Sequence, residues 1–596
     1  MEDARRAPVR LSIYERVVRL LSRPRGALGI AALAFVMSLP ALAGGLTADD
    51  FDLGFAVKRD PLSAYAFQSR DPDERKSQIL ALRDVGVLPW WVDPELHQAF
   101  MRPLSSLSLA LDFRLWPDAP CWMHLENSLL FAALVLLAAG LYRDFGLPSR
   151  ARGLATFFFA MQAGQSMTVG WISGRNTLLA ALFGFLSVRG FIAAQSGKRA
   201  QLFGAIAAFA AALLSAEGGA ATLAYVFAYA LCFGRAPVQA SDAKRLVTPE
   251  PSLARRLAGL SGFALIVLGW LTAYKLGGYG VKGSGFYVDP AHDPLRFALD
   301  LLVAIPIYLA SQLTAPFAGA TGGHPLAPAI LAAISLAILF TSRRLWLPWL
   351  RLDSRARALG VGALLAILPL GSSLPQDRLV SFIALGMCGL IALIVEERLG
   401  PEAGQLPQRG ARMLWRLHAL WAPLLFVPLL FGSSSMIAGG GAELLDRVLG
   451  DDQRPVLLVN APSALPAQFF AHKRDWFGQA HPSIVVLYAG SSELELTRRD
   501  DRALELLVPR GYFFGRFERI ERTPSSHPLQ LGETIELQYM RVQVVDVKDG
   551  VPTRVRFELG QPLSALRVYA WQGRKVELLK LPARGESVHI APASVL

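Results

Sequence analysis

Three carboxylates stand together early in the chain, just after the first long apolar stretch. Asp49 and Asp50 are adjacent, and Asp52 follows two residues later. Neighbouring carboxylates raise one another's pKa, and a carboxyl group with a raised pKa can act as a general base. The same residues would also suit a hydrated loop that only marks the end of an apolar segment. This acidic group is the first candidate for chemistry.

Further polar residues stand at the heads of later apolar segments or in the short turns between them. His124 and Asn127 are three positions apart, so they share one face of a helix. Polar side chains within a membrane helix are costly and usually face a cavity or a partner. An ordinary interfacial helix start is the alternative interpretation. The remaining candidates are single charged residues: Arg175, Glu217, Asp377 and Arg378.

The composition predicts a membrane protein. Of the 596 residues, 53% are hydrophobic and only 18% are charged. Apolar runs long enough to cross a bilayer of about 30 Å recur up to residue 435. The net charge of +13 does not indicate nucleic-acid binding, because the arginines collect in short loops as the positive-inside rule expects. The three cysteines are isolated and form no metal-binding pattern.

The charge pattern divides the chain into three parts. Residues 1–25 form a basic cytoplasmic N-terminus, and residues 26–437 form an α-helical polytopic domain of eleven to thirteen spans. A long outer loop at 46–120 carries the aspartates and the pair Trp90–Trp91, which suits the membrane interface. Residues 297–317 contain Pro306, and the arginines after them favour a segment that does not cross. With this topology, all the candidate residues fall on the outer face.

The last part, residues 438–596, is predicted to be a small β-rich domain outside the membrane. Short runs that favour strands are separated by Gly, Pro and Asp-Gly, as in a small sandwich or barrel. No catalytic motif is present there, so a binding or spacing module is expected. The runs are Pro455 to Asn460, Ser483 to Tyr488, Thr534 to Val547, Thr553 to Leu559 and Ala565 to Trp571.

As a set, these motifs resemble the type C (GT-C) integral-membrane glycosyltransferases, and in particular the protein O-mannosyltransferase-like branch with its tetratricopeptide-bearing relatives. They occur in the family's order over about residues 26–400. The matching residues are Asp49–Asp50, Arg102–Pro103–Leu104 with Asp112, His124–Leu125–Glu126–Asn127, Trp171–Ile172–Ser173–Gly174–Arg175 and Asp377–Arg378.

The resemblance implies an inverting transfer of a sugar from a polyprenyl-phosphate donor to an acceptor hydroxyl at the outer face. Asp49 would be the base and Asp50 would orient it or the acceptor. Three arginines would hold the donor phosphate, since guanidinium suits bidentate phosphate contacts: Arg102, Arg175 and Arg378. Four residues would position the substrates: His124, Asn127, Glu217 and Asp377.

Several alternatives stay open at this point. A divalent cation, Mg²⁺ or Mn²⁺, could bind Asp49 and Asp50 together with the phosphate. Ala216 stands where the relatives commonly have lysine, which favours a non-catalytic membrane scaffold or binding protein of the cell envelope. The acceptor is a protein, a lipid or a polysaccharide. The expected location is a bacterial inner membrane with the C-terminal domain in the periplasm.

Overall fold

The protein is described by a computed structural model that covers residues 12–233, 259–321, 324–403, 407–432 and 440–594. Its membrane part is built from helices, several of which begin at a polar cap. The side chain of Asp71 accepts from the first-turn amides of one helix, and Asp353 does the same for another. Up to residue 232, the helices are α1 (Ile13–Leu21), α2 (Gly26–Ser38), α3 (Asp49–Arg59), α4 (Pro72–Asp84), α5 (Pro103–Leu115), α6 (Pro120–Asp144), α7 (Ser149–Ala160), α8 (Ala163–Val169), α9 (Arg175–Gln195), α10 (Gln201–Ser215) and α11 (Thr222–Cys232).

The second half of the membrane part continues in the same way. Helix α16 lies at the centre of the bundle, because every side chain from Ser381 to Val395 is buried. The helices are α12 (Ser261–Leu276), α13 (Pro294–Leu313), α14 (Ala327–Leu352), α15 (Ser354–Leu365), α16 (Ser381–Leu399), α17 (Arg409–Arg416) and α18 (Ala422–Leu430), the last two joined by a π-turn, Leu417–Trp421.

Seven segments among the described residues are long and apolar enough to cross a bilayer. Two further apolar helices, α10 and α12, are shorter. The count is lower than the eleven to thirteen spans expected from the sequence. The seven segments are Gly26–Ala43, Pro120–Asp144, Ile172–Gln195, Pro294–Leu313, Ala327–Leu352, Ser354–Ser372 and Arg409–Leu430.

Part of the difference arises because one expected span is interrupted, and a second interruption falls at an expected turn. The side chain of Gln162 accepts from the Gly164 amide and begins α8, which separates it from α7. Ala216 has an extended backbone, with φ −163° and ψ 154°, and divides α10 from the 3₁₀ turn Glu217–Ala221. Each interruption brings polar groups to the outer ends of the helices, where the candidate residues lie.

Helix α13 covers most of the segment expected not to cross. Both of its halves contact the same short stretch of chain, residues 371–376. A Cβ at Gly371 would lie 3.1 Å from the Phe297 ring, and the Gln376 amide donates to the Tyr308 hydroxyl at 3.0 Å. The helix is long and apolar enough to span a bilayer.

The C-terminal part contains two sheets and two helices, α19 (Gly440–Leu449) and α20 (Leu465–Trp476). In the first sheet, the strand Val456–Ala461 is parallel to Ile484–Ala489 on one side and to Arg567–Gln572 on the other, with Lys575–Leu578 at the edge. The second sheet is antiparallel and six-stranded, in the spatial order Ser587–Ile590, Leu494–Arg498, Ala503–Leu507, Val551–Leu559, Met540–Lys548 and Thr534–Glu536.

The sequence placed most of these strands correctly, but not their arrangement. A sandwich or barrel was expected, whereas the first sheet contains parallel strands joined by α20. Parallel strands require a crossover connection, and α20 supplies it between the first two strands. The amphipathic stretch that forms this helix carries residues of the site described below.

The outer loop and the C-terminal part share one hydrophobic core. Trp90 and Trp91 are each 2% exposed and pack with Leu487, Tyr512 and Phe557. The Trp90 indole nitrogen donates to the carbonyl of Leu487 at 3.0 Å. The expectation that this pair sits at the membrane interface is therefore wrong. Tryptophan suits a buried site that also offers an acceptor as well as it suits an interface.

We expect Trp90→Ala to destabilise the C-terminal part by about 3–5 kcal/mol, because it leaves a large cavity and removes the Leu487 hydrogen bond. Thermal unfolding of the detergent-purified chain would measure the loss as a lower melting temperature. Trp122→Ala is the matched control, since Trp122 is 52% exposed. Equal melting temperatures for the two variants would contradict the shared core.

Candidate active site

A buried arginine joins the outer ends of three helices. Arg175, at the start of α9, is fully buried and forms ion pairs with Asp112 of α5 and with Glu126 of α6, the latter at 3.0 Å. Its guanidinium also donates to the Asn127 side chain at 2.9 Å and to the Met123 carbonyl at 2.8 Å. These protein acceptors occupy the guanidinium, so Arg175 organises the site rather than presenting a free cation for a phosphate.

The turn that precedes Arg175 is fixed by the same network. The Asn127 amide nitrogen donates to the Trp171 carbonyl at 2.9 Å. The Ser173 amide donates to Asp50 at 2.9 Å, and the Ser173 hydroxyl donates to the same oxygen. The predicted residues Asp50, Asn127 and Arg175 thus meet at one turn, residues 171–174.

Asp50 is saturated with hydrogen bonds. One oxygen accepts from the amide and hydroxyl of Ser173, and the other accepts from the Thr47 amide at 2.9 Å and the Thr47 hydroxyl at 3.4 Å. Burial raises the pKa of Asp50 to about 6, although these hydrogen bonds oppose the shift. The side chain is 1% exposed. Asp50 therefore fastens the outer loop to the turn and has no free lone pair for a substrate.

Asp49 has a different environment. It is the first residue of α3 and follows Ala48, whose backbone has φ 51°. The side chain is half-buried, and among the described residues no other residue donates a hydrogen bond to its carboxyl group or forms an ion pair with it. Burial raises the pKa of Asp49 to about 7, with a smaller contribution from repulsion by Asp52 and an opposing one from Arg378. A carboxyl group with this pKa and no partner is suited to accept a proton near neutral pH.

The cation that faces Asp49 is Arg378. Its guanidinium lies 4.7 Å from the ring centre of Trp171 and donates to the side chain of Gln376. Within the described part of the chain, no carboxylate lies within ion-pair distance of it. Burial lowers the pKa of Arg378, and attraction to Tyr287 and Asp49 opposes this shift. An arginine held on an aromatic face without a carboxylate partner is a suitable site for a phosphate.

Arg102 is engaged more strongly within the protein. It forms a two-nitrogen contact with one carboxylate oxygen of Glu217, at 2.8 and 2.7 Å, and stacks on Phe100 and Tyr65. The second oxygen of Glu217 is buried and has no partner among the described residues. The two predicted residues are thus brought together as a pair at the edge of the site. Because Arg102 already neutralises Glu217, the site does not need a second cation, such as a lysine at the position of Ala216.

His124 and Asp377 hold backbone in place around the site. The Nε2 atom of His124 lies 2.9 Å from the Gly45 carbonyl, just before the aspartates. Asp377 accepts from the Gly319 amide at 3.1 Å, and further amides at residues 317 and 318 face it. Burial raises the pKa of Asp377 to about 6, and these amides oppose the shift. Both side chains fix loops that border Asp49 and Arg378.

A metal ion shared by Asp49 and Asp50 does not fit this arrangement. A carboxylate has about four lone-pair positions, and those of Asp50 already accept four hydrogen bonds. In the described ranges, no group of three or more His, Cys, Asp or Glu side chains could hold a metal ion. A metal ion bound to Asp50 would have to displace some of these hydrogen bonds.

Sequence reasoning missed the contribution of α20. The Nδ1 atom of His472 lies 2.6 Å from a carboxylate oxygen of Asp52. Trp476 packs on Phe51, Phe55 and Phe113, and a Cβ at Gly54 would lie only 2.7 Å from its ring. The helix that begins with Asp49 is thus held by the C-terminal part. No sequence pattern links residues more than four hundred positions apart.

Tyr287 is the other residue that sequence reasoning did not assign. It was noted only as part of an outer loop. Its ring packs against Phe100 at 5.3 Å, and its phenol interacts electrostatically with Asp49 and Arg378. Burial raises its pKa, so the hydroxyl stays protonated and can donate a hydrogen bond near neutral pH. Tyr287 therefore completes the polar group around Asp49.

The fold is that of an integral membrane protein, and at one end of its helices Asp49 faces Arg378, which has no carboxylate partner among the described residues. No family model and no curated protein matches the chain. One similar solved structure is ArnT from Cupriavidus metallidurans bound to undecaprenyl phosphate, with 12% identity, a TM-score of 0.38, and coverage of 76% of this chain and 85% of ArnT.

Two other structures are similar at the same level. The Archaeoglobus fulgidus oligosaccharyltransferase tethered with an acceptor peptide has 12% identity and a TM-score of 0.38, over 78% of this chain and 64% of that one. Arabinofuranosyltransferase AftD from Mycobacteria has 15% identity and a TM-score of 0.34, over 90% of this chain and 42% of that one. The structure confirms the predicted combination of a helical membrane part and a β-rich C-terminal part.

We expect the contact between His472 and Asp52 to make stability depend on pH. Burial disfavours the charged imidazole, but the hydrogen bond and attraction to Asp52, with a smaller attraction to Asp475, outweigh it and raise the pKa of His472 above 6.5. The stabilisation is therefore complete below pH 6.5 and is lost as pH rises through the higher folded value.

His472→Gln should cost about 0.5–1 kcal/mol at pH 6 and much less at pH 9. Melting temperatures of the purified variants across this range would measure the difference. His589→Gln serves as the control, because His589 lies on the same domain with 65% of its side chain exposed. A loss of stability that is the same at both pH values would contradict the ion pair.

Proposed function

We propose that the protein is a membrane glycosyltransferase that moves a sugar from a polyprenyl-phosphate donor to an acceptor hydroxyl at the outer face. The observation that carries the proposal is the electrostatic interaction between a carboxyl group and an arginine that form no ion pair with any described residue. Asp49 is a half-buried carboxyl group with a pKa of about 7, and among the described residues it has no ion-pair partner and Arg378 has no carboxylate partner. A proton acceptor and a phosphate-binding cation are the two groups that such a transfer requires.

The reaction follows from their placement. The Asp49 carboxylate takes the proton of the acceptor hydroxyl as the acceptor oxygen attacks the anomeric carbon of the sugar. The bond from that carbon to the phosphate oxygen breaks, and the lipid phosphate leaves with the electron pair. Arg378 stabilises the negative charge that develops on the departing phosphate. Attack opposite the leaving group inverts the configuration at the anomeric carbon.

The other predicted residues support these two. Arg102, paired with Glu217, lies near Tyr287 and Arg378 and adds positive charge beside the phosphate. Asp50 and Arg175 act through the turn at 171–174, so we propose that they position Asp49 and Trp171. His124, Asn127 and Asp377 fix the neighbouring backbone. None of these side chains needs to touch the substrates for the transfer.

The partners follow the same reasoning. The donor is a sugar on a polyprenyl phosphate, and the acceptor is a protein, lipid or polysaccharide that carries a hydroxyl group. We place the chain in a bacterial inner membrane with its C-terminal domain in the periplasm. The basic N-terminal region favours a cytoplasmic start, which puts Asp49 on the opposite side.

We expect Asp49→Asn to lower transfer by about 10²–10⁴-fold, the usual contribution of a general base. The measurement is transfer of radiolabelled sugar from polyprenyl-phosphate donors to an envelope fraction by the purified chain. Arg378→Ala should lower transfer and also weaken donor binding by about tenfold or more, because a charge-assisted contact to the phosphate is lost. Asp49→Asn should bind the donor nearly as well as wild type.

Two exposed residues on the same outer region provide controls for charge. Asp73→Asn and Arg114→Ala should transfer sugar as wild type does. Donor binding that depends on Arg378, with no transfer by wild type to any acceptor fraction, would favour the alternative of a non-catalytic envelope scaffold. Full activity in Asp49→Asn would exclude Asp49 as the base.

The pH dependence of transfer tests the environment of Asp49. Because the base must be deprotonated, kcat/KM should rise with pH and level off above about 7, the pKa of Asp49. Asp52→Asn removes a like charge, so this rise should move to lower pH by up to about one unit. His472→Gln also breaks the contact between His472 and Asp52 but keeps the Asp52 charge. In this variant, the rise of kcat/KM should not move to lower pH. If the rise of kcat/KM moves to lower pH in both variants, its cause is altered packing of α20 and not the charge of Asp52.

A further inference from the structure

A second polar cavity lies at the end of the bundle that is opposite to Asp49. It has a volume of about 300 Å³ and lies where the link between α1 and α2 meets the end of α6, the start of α7 and the last turns of α9. Helix α6 runs from Pro120 to Asp144; His124, in its first turns, lies beside the candidate active site, and Asp144 lies beside this cavity. Its 25 residues span about 37 Å at 1.5 Å per residue, so the two sites are at opposite ends of the bundle.

The cavity is lined by four arginines, Arg23, Arg143, Arg152 and Arg189. Two of them form ion pairs with one carboxylate, Asp144, which lies 3.5 Å from Arg143 and 2.8 Å from Arg189. Arg23 and Arg152 have no side-chain hydrogen bond or ion pair with any part of the chain that the structure describes. The cavity therefore has an excess of positive charge, and anions are the ligands that this charge favours.

Two helix starts add to the positive potential. Helix α2 begins at Gly26 and α7 begins at Ser149, and neither has a side-chain cap on its first amides. Ala27 and Ser149, from these first turns, line the cavity. Uncapped amides at a helix start carry a partial positive charge and donate hydrogen bonds to anions, phosphate above all. Both helix starts thus favour the same kind of ligand as the arginines.

The remaining wall of the cavity is apolar. It is formed by Ile30 of α2 together with Leu136 and Ala139 of α6. Leu136 is 38% exposed and Leu28, two residues before Ile30, is 58% exposed, so this wall is continuous with the surface that faces the lipid. A ligand that fits both walls has a phosphate at one end and hydrocarbon at the other.

We propose that this cavity binds the phosphate headgroup of an anionic phospholipid in the leaflet opposite to Asp49. Basic pockets between membrane helices are a recurrent way to hold such headgroups. Arg23 and Arg152 contact the phosphate, the Ala27 amide of α2 and the first amides of α7 donate to it, and the acyl chains lie along Ile30 and Leu136. The inference does not depend on the proposed sugar transfer, because it uses none of the same residues.

Native mass spectrometry of the detergent-purified full chain tests this site by titration with phosphatidylglycerol. The double variant Arg23→Ala/Arg152→Ala should bind this lipid about tenfold or more weakly, because two charge-assisted contacts are lost. Arg344→Ala is the matched control, since Arg344 is an exposed arginine in the C-terminal half of α14 and does not line the cavity. Its affinity should equal that of wild type.

Two further binding measurements identify the ligand. Phosphatidylcholine should bind more weakly than phosphatidylglycerol, and inorganic phosphate should not displace the bound lipid at the same concentration. If the double variant does not fold, Arg152→Gln alone should still weaken binding, and Arg152→Lys should restore part of it. Equal affinities in wild type and these variants, equal binding of the two lipids, or displacement by inorganic phosphate would each overturn the proposal.

Discussion

A buried guanidinium is stable only while its donors have acceptors, and this constraint at Arg175 organises the outer end of the helices. The side chain is fully buried, as is its partner Asp112. Removing one member of such a pair leaves an unpaired buried charge and costs about 3–5 kcal/mol. The helices α5, α6 and α9 therefore have to meet in one geometry. That geometry fixes the turn at residues 171–174, which presents Ser173 to Asp50 and Trp171 to Arg378.

The two adjacent aspartates show how environment separates the roles of identical side chains. Burial raises the pKa of both, yet Asp50 accepts four hydrogen bonds, whereas no other described residue donates one to Asp49. One carboxylate therefore fastens the loop, and the other is not engaged by neighbouring side chains. Catalytic pairs of carboxyl groups commonly differ in this way, because the local surroundings set the pKa of each.

The sequence predicted the membrane part, most strands of the C-terminal part and the outer cluster of polar residues. These features depend on local hydropathy and on the order of motifs, which a single chain displays. It did not predict which arginine would be free. The sequence does not distinguish Arg102, Arg175 and Arg378 from one another. Only the structure shows that the first two have carboxylate partners. It also missed His472 and Trp476, because their contacts with Asp52 and Gly54 join distant parts of the chain.

These distant contacts give the C-terminal part a larger role than that of a spacer. Ala48 has a positive φ, a backbone conformation that is costly for a residue with a side chain, and it directly precedes Asp49. Such strain persists only where the surroundings enforce it. Ala48 is buried in the same core as Trp90, Trp171 and the strands of the C-terminal part. The domain that was expected only to bind or to space therefore holds the backbone that immediately precedes Asp49.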